Sequence, residues 1–423
     1  MLRSAMQAYE AKRFEDAEAA LRLVLGRSLN DGYVLYFLGH LAYLQGRLTE
    51  ALWFLTYAVS FDPDHARSRN DLGETLRALG NNADAVPQLR RAIELDPSLA
   101  HAYGNLATAL LALDRPEEAL RWAQESLRRG ADKTVAHCDL GSVFGRLNRP
   151  LEALRQYDLA LAHRPDNARA RYFRGLVRLA LGQMPDAWAE HEARFDLPPV
   201  VSGSRAFTSP GWLSGTEVAD KTVLLHPEQG LGDTIQFTRY VPLVQALGAA
   251  VVLEVQPGLA GLCRFPGVTV LETGSDLPPH DLHISLMSLP AIFRTDLTTI
   301  PASTPYLAVD AGMSASWASA LGPWKRMRVG LAWSGNPSHA SDTARSMPLK
   351  LLKPLLDRTD IECHVVQRDI REGDDLSAWP GLIDHHADLT DFARTAGLLA
   401  NMDLVITVDT VIAHLAGALN IPA

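Results

Sequence analysis

The sequence predicts two kinds of structure in series: an all-helical repeat array over residues 1–195, then an α/β region made of two units, 222–325 and 326–423. Three observations predict it. Alanine recurs every 34 residues through the first half, that period stops near Val200, and short apolar runs alternating with helical stretches take its place. Residues 196–221, rich in Pro, Gly and Ser, read as a linker between the two.

In the array, Ala17, Ala51, Ala85, Ala119, Ala153 and Ala187 stand in register. Twelve residues before each lies a small residue: Ala5, Gly39, Gly73, Ala107, Gly141 and Gly175. Leu38, Leu72, Leu106 and Leu140 precede four of these, and Pro63, Pro97 and Pro165 close three units, with Ala131 in the same phase. Small residues at two fixed points let a pair of helices cross closely, and proline ends the second helix. The pattern resembles tetratricopeptide repeats (TPR), an α-solenoid whose concave face is lined by the first helix of each unit. One column of that face reads Phe37, Asp71, Asn105, Asp139, Phe173. Asp71, Asn105 and Asp139 form a candidate groove for an extended peptide; the other reading of the same residues is solvated surface. The last unit departs from the pattern at Arg174 and Arg194, as terminal repeats often do.

Composition excludes several classes. The 423 residues are 47% hydrophobic and 21% charged, a globular composition. Net charge is −9, from 40 basic and 49 acidic residues, which argues against nucleic-acid binding through bulk charge. Cys138, Cys263 and Cys363 lie far apart with no Cys-x-x-Cys, so neither a disulfide framework nor a cysteine zinc site is expected. No apolar run reaches the length of a membrane span, and no secretory signal is visible. A cytoplasmic protein is the expectation.

In the second half, Thr222–His226, 250–255, 268–271 and 282–285 read as strands, with a helix over 233–247. Strands at 328–333, 362–367 and 403–408 follow, with helices near 349–356, 391–401 and 410–419. Strand and helix in alternation imply parallel sheets, and ligands of such sheets bind beyond the strands' carboxyl ends.

Three motifs fall at those ends. Gln229-Gly230-Leu231-Gly232-Asp233-Thr234 follows a strand and opens a helix; Gly230 and Gly232 permit a tight turn, and Asp233 is either a helix cap or a reactive carboxylate. Ile235 stands where a dinucleotide fingerprint needs its third glycine, which removes a nicotinamide dehydrogenase. Asp409-Thr410 opens a helix that carries His414 one turn on, a start suited to a diphosphate. Trp333-Ser334-Gly335-Asn336, with Arg345 downstream, offers small polar groups and a guanidinium for phosphate contact.

The segments His226–Asp233, Val329–Asn336 and Asp403–Pro422 resemble those of ADP-heptose:lipopolysaccharide heptosyltransferase-type glycosyltransferases. With the repeats, the chain is similar to bacterial TPR proteins with such a region, and in architecture to O-linked N-acetylglucosamine transferase-like proteins. The resemblance implies two Rossmann-like units in a GT-B arrangement. It implies Asp233 as catalytic base, and donor binding by Gly230, Gly232, Ser334, Asn336, Arg345, Asp409, Thr410 and His414. It also implies a nucleotide-sugar donor, a protein or glycan acceptor recruited by the repeats, and no metal or cofactor. The one Asp-x-Asp, Asp62-Pro63-Asp64, lies in the array. Val411 stands where the family often has glycine, and the chain stops at Ala423, soon after that helix. The second unit is therefore expected to be incomplete; the enzyme expected is a metal-independent glycosyltransferase, with the activity of this truncated chain left open. The alternative is an interaction scaffold with a degenerate, non-catalytic transferase region.

Overall fold

A computed structural model describes residues 2–26, 31–197, 207–337 and 342–423. The chain divides into two compact units: Met1–Gln183 with Ala189–Asp196, and Met184–Trp188 with Leu197–Ala423.

The described part of the first unit is helical, built from antiparallel pairs: α1 (Leu2–Glu10) with α2 (Phe14–Leu25), α3 (Gly32–Leu44) with α4 (Leu48–Phe61), α5 (Ala66–Ala78) with α6 (Asn82–Leu95). Next come α7 (Ala100–Ala112) with α8 (Pro116–Arg128), α9 (Lys133–Arg146) with α10 (Pro150–His163), and α11 (Ala168–Ala180), against which the 3-10 turn Glu192–Asp196 packs; the short α12 (Asp186–His191) begins in the second unit and ends in the first. The alanine column from Ala17 to Ala187 is wholly buried. The earlier column is where the pairs cross. A Cβ added to Gly39, Gly73 or Gly141 would lie 2.6, 2.5 or 2.7 Å from Leu55, Leu89 or Tyr157, sixteen residues on.

A third column escapes a reading based on residue type. Lys12, Gly46, Gly80, Asp114, Asn148 and Gly182, again 34 apart, all have positive φ. Each ends the first helix of its pair in the left-handed cap conformation, and the following N–H closes back on the helix, as from Arg47 to Ala42 O at 2.9 Å. Glycine fits this geometry best, and Asn and Asp come next.

The last pair explains its departures. Arg174 reaches Glu190 at 2.6 Å and Asp158 at 2.7 Å. Arg194 is fully buried in the 3-10 turn Glu192–Asp196, against Glu192 at 2.6 Å and over the Phe195 ring. Ionic partners here replace the apolar contacts of the inner repeats.

The second unit holds two four-stranded parallel sheets. The first has order β3-β2-β1-β4, from β1 (Thr222–His226), β2 (Ala250–Val255), β3 (Thr269–Glu272) and β4 (Leu282–Ser285). The second has order β7-β6-β5-β8, from β5 (Met327–Ala332), β6 (Ile361–Val365), β7 (Leu382–Ile383) and β8 (Leu404–Thr407). The helices are α13 (Leu231–Phe237), α14 (Val241–Ala246), α15 (Leu289–Ile292), α16 (Ala311–Leu321), α17 (Asp342–Arg345), α18 (Lys353–Leu356), α19 (Phe392–Leu399) and α20 (Val411–Ala418).

Two expected helices are broken, for one reason. The stretch 233–247 divides into α13, a 3-10 turn Thr238–Tyr240, and α14 with Pro242 in its first turn. Likewise 349–356 is a 3-10 turn followed by α18, which carries Pro354 in its first turn. Proline has no N–H to continue the preceding helix, so each starts a new one.

The segment read as a linker is partly built into the first sheet. Residues 198–206 lie outside the described residues, but Trp212 and Val218 are buried. Gly211 forms a parallel bridge with His283; Trp212 N donates to His283 O at 2.8 Å and His283 N to Pro210 O at 3.1 Å. Two large apolar side chains outweigh the turn-rich composition around them.

Candidate functional site

The glycine loop 227–232 leaves β1 and starts α13 at Gly230. Asp233 is in the first turn, and its carboxylate accepts the Gly230 N–H at 2.9 Å. It is therefore the helix's own cap and, half-buried, also a group at the carboxyl end of the sheet. Burial pushes its pKa up, the Gly230 N–H and His414 pull it down, and the carboxylates of Asp409 and Glu228 push it up again.

His414 comes from the other sheet, on α20, which packs along α13. A Cβ on Gly232 would lie 2.6 Å from His414 Cδ2. Only glycine lets the imidazole approach this closely, which gives that position a physical reason. Burial lowers the His414 pKa, and the nearby Asp233 and Asp409 raise it. Thr410 caps α20 by accepting the Ile412 N–H at 3.2 Å and lies 3.3 Å from the Thr407 hydroxyl. Thus Gly230, Gly232, Asp233, Asp409, Thr410 and His414 share one neighbourhood. The segment before α16 ties α20 to the 3-10 turn that follows α13: Tyr306 N donates to Ala418 O at 3.1 Å, and Arg239 Nη2 to the Tyr306 hydroxyl at 3.1 Å.

The third motif is knitted into the second sheet. Gln367, just past β6, accepts the Trp333 N–H at 2.7 Å and donates to Ser334 Oγ at 3.0 Å. Gly335 N donates to Ser346 Oγ at 2.9 Å, and Ser346 in turn to Asp342 at 2.7 Å, while Arg371 pairs with the other Asp342 oxygen. Arg345 lies over Gly335, its Nη2 3.0 Å from where a Cβ would stand. Asn336 follows in the same loop. Among the described residues, the hydrogen bonds of Ser334 run to Gln367 rather than to Asp233 or His414.

The candidate peptide column is committed within the array. Asp71 takes His40 Nδ1 at 2.7 Å and Asn70 Nδ2 at 2.9 Å, and Asn105 donates to Asn70 Oδ1 at 3.1 Å. Asp139 is not an open groove group: it is 7% exposed and pairs with Arg169 at 3.0 Å. These side chains join neighbouring repeats, because a carboxylate leaving water there needs a partner.

Residue types alone missed a second cluster beside the glycine loop. His226 and His283 lie 3.4 Å apart, Nε2 to Nδ1, and Phe207 stacks on both at 4.5 and 4.1 Å. Ser285 Oγ donates to Glu228 at 2.6 Å. Strand alternation held a signal, since His226, His283 and Ser285 point to one sheet face in the observed register.

The tetratricopeptide repeat family model matches residues 2–66, 70–133 and 138–196, so the first unit carries TPR repeats. Protein FlbA of Caulobacter vibrioides is 28% identical over 291 residues, covering 61% of this chain and 48% of its own length. The chain thus spans about half the length of that curated relative. Among solved structures, TTC0263, a thermophilic TPR protein of Thermus thermophilus, is 22% identical with TM-score 0.36, covering 42% of this chain and 97% of its own. YrrB, a TPR protein described as having an unusual peptide-binding site, is 20% identical with TM-score 0.34, covering 43% and 93%. Among the described residues, no helix is long and apolar enough to cross a membrane.

Proposed function

We propose that the second unit transfers a sugar, without a metal, from a nucleoside-diphosphate donor to a protein or glycan acceptor, and that the TPR repeats recruit the acceptor or a partner protein. The repeats support the interaction role. The transfer reading rests on one observation: two loops far apart in sequence meet where Gly232 gives up its side chain to His414 beside Asp233.

In this mechanism Asp233 takes the proton of the acceptor hydroxyl. The acceptor oxygen forms the new bond to the anomeric carbon, and the bond to the diphosphate oxygen breaks. A carboxylate whose pKa is raised by burial is a better base than one in water. The departing diphosphate gathers negative charge, which the start of α20, the Thr410 hydroxyl, His414 and Arg345 stabilise.

The test is calorimetry with UDP-, GDP- and ADP-sugars, followed by an assay of released nucleotide. Asp233→Asn should cut transfer by about 100-fold or more while leaving donor affinity nearly intact. Thr410→Ala and His414→Ala should weaken donor binding. Normal turnover by Asp233→Asn would remove the mechanism. A second reading, an interaction scaffold, is favoured by the TPR repeats matched over residues 2–66, 70–133 and 138–196. It predicts peptide binding with no nucleotide-sugar binding.

A further inference from the structure

The stretch that follows the repeat array ends as a strap on the first sheet. Its backbone pairs with β4 through Pro210, Gly211 and Trp212, all three against His283. Trp212 anchors it, 5% exposed and edge-on to Phe293. At its near end Phe207 lies almost flat on two imidazoles, at 30° to His226 and 20° to His283. His226 is the last residue of β1 and the one from which the glycine loop departs. That loop runs through Glu228, fixed by Ser285, to Gly230, whose N–H holds the Asp233 carboxylate.

These contacts form an unbroken physical chain from strap to carboxylate. We propose that Phe207 is a positioning residue: seated on the His226–His283 pair, it fixes the departure of the glycine loop and so the Gly230–Asp233 hydrogen bond. The described residues Phe207, Pro210, Gly211 and Trp212 thereby set the geometry of the loop. The physical link stands independently of the reaction; its consequence for transfer rests on the function proposed above.

The geometry gives the ring a task that bulk alone would not perform. Stacked aromatic planes fix orientation as well as separation. Burial lowers the His283 pKa, with the neighbouring His280 adding to it, and Glu228 with Ser285 lies next along the same edge. Lifting Phe207 returns water to the imidazole, so His283 then titrates higher.

The experiment uses the full chain and three variants: Phe207→Ala, Phe207→Leu and Phe207→Tyr. Two NMR readouts are followed, the Gly230 amide exchange rate and the His283 titration. Phe207→Ala should speed Gly230 exchange about tenfold and raise the His283 midpoint. Phe207→Leu, which keeps bulk without a stacking plane, should do the same in part, and Phe207→Tyr should restore both. If Phe207→Ala does not fold, the Leu and Tyr pair carries the comparison. Gly230 exchange within twofold of the native chain in both Ala and Leu variants overturns the proposal. If UDP-, GDP- and ADP-sugars fail to bind while exchange responds to Phe207, the strap stands and the transfer reading falls. If a nucleotide sugar binds and exchange ignores Phe207, the strap falls and the transfer reading survives.

Discussion

Glycine does the same steric work in the two units, but at different ranges. In the array, Gly39, Gly73 and Gly141 each make room for a residue sixteen positions on, inside one helix pair. In the second unit, Gly232 makes room for His414, on a helix belonging to the other sheet. The array repeats its constraint down the chain, so composition and period disclose it. The second unit states its constraint once, between segments that only the fold brings together. A repeat is stabilised by its neighbours in sequence; the candidate site depends on long-range packing. Their responses to perturbation should differ accordingly.

The largest difference is expected in acid. His364 is 1% exposed on β6, beside the buried Arg328, and its Nδ1 lies 3.0 Å from His385 Nε2. Burial, with His385 and Arg328 adding to it, pushes its pKa down to about 4. A free imidazole in the unfolded chain takes a proton near pH 6.5. Between those values the unfolded state binds more protons, so stability is full above about pH 6.5 and falls as pH drops toward 4. The loss from this group reaches roughly 3 kcal/mol. Unfolding of the second unit, followed by urea titration from pH 7 to 4.5, should show it, and His364→Gln should flatten the slope. An equally steep slope in that variant would place the sensitivity elsewhere.

The array should instead break on volume. Ala119 is fully buried in the column that recurs every 34 residues. Ala119→Trp should cost about 2 kcal/mol, and more if the helices cannot separate. Thermal unfolding of the repeats reads the effect. An unchanged midpoint would mean that the alanine column is not tightly packed.

The two units also differ in how far the sequence discloses them. The helix pairs are legible because one set of contacts is written six times, and even Arg174 and Arg194 are visible as departures. The positive-φ column is not legible from residue type, because Lys12, Asp114 and Asn148 share with Gly46, Gly80 and Gly182 a backbone conformation rather than a chemistry. Strand positions in the second unit are legible from apolar runs. Its helices are less so, because Pro242 and Pro354 interrupt stretches that apolar spacing alone carries straight through. In the site, Asp233 and His414 stand out because each follows a strand end. Phe207 does not, since it lies in a turn-rich stretch whose role comes from the sheet it packs on. The partners of Asp139 are equally hidden, because a carboxylate in a repeat column reads the same whether it faces water or Arg169.

The smallest expected effect separates the two kinds of glycine most directly. Gly232→Ala puts a methyl where His414 Cδ2 now lies at 2.6 Å, so the ring or one of the helices must move. The ring can turn away at its own side-chain torsions, which keeps the cost near about 1 kcal/mol. Removing the ring as well, in Gly232→Ala with His414→Ala, should recover most of that loss, so the double variant should lose less stability than the two single changes added together. The array contains the corresponding compensated pair. Ala107 and Ala123 occupy the repeat positions of Gly73 and Leu89, and both are wholly buried. Gly73→Ala, which meets Leu89 Cγ at 2.5 Å, should therefore be relieved by Leu89→Ala, less the cost of the smaller side chain. Stability from chemical denaturation checks both cycles. If the two pairs show coupling of the same sign and similar size, the close approach of α13 and α20 is held as firmly as a repeat crossing. If coupling appears only in the array, Gly232 and His414 are not in fixed contact in solution, and the approach of the two sheets' carboxyl edges is looser than their packing implies.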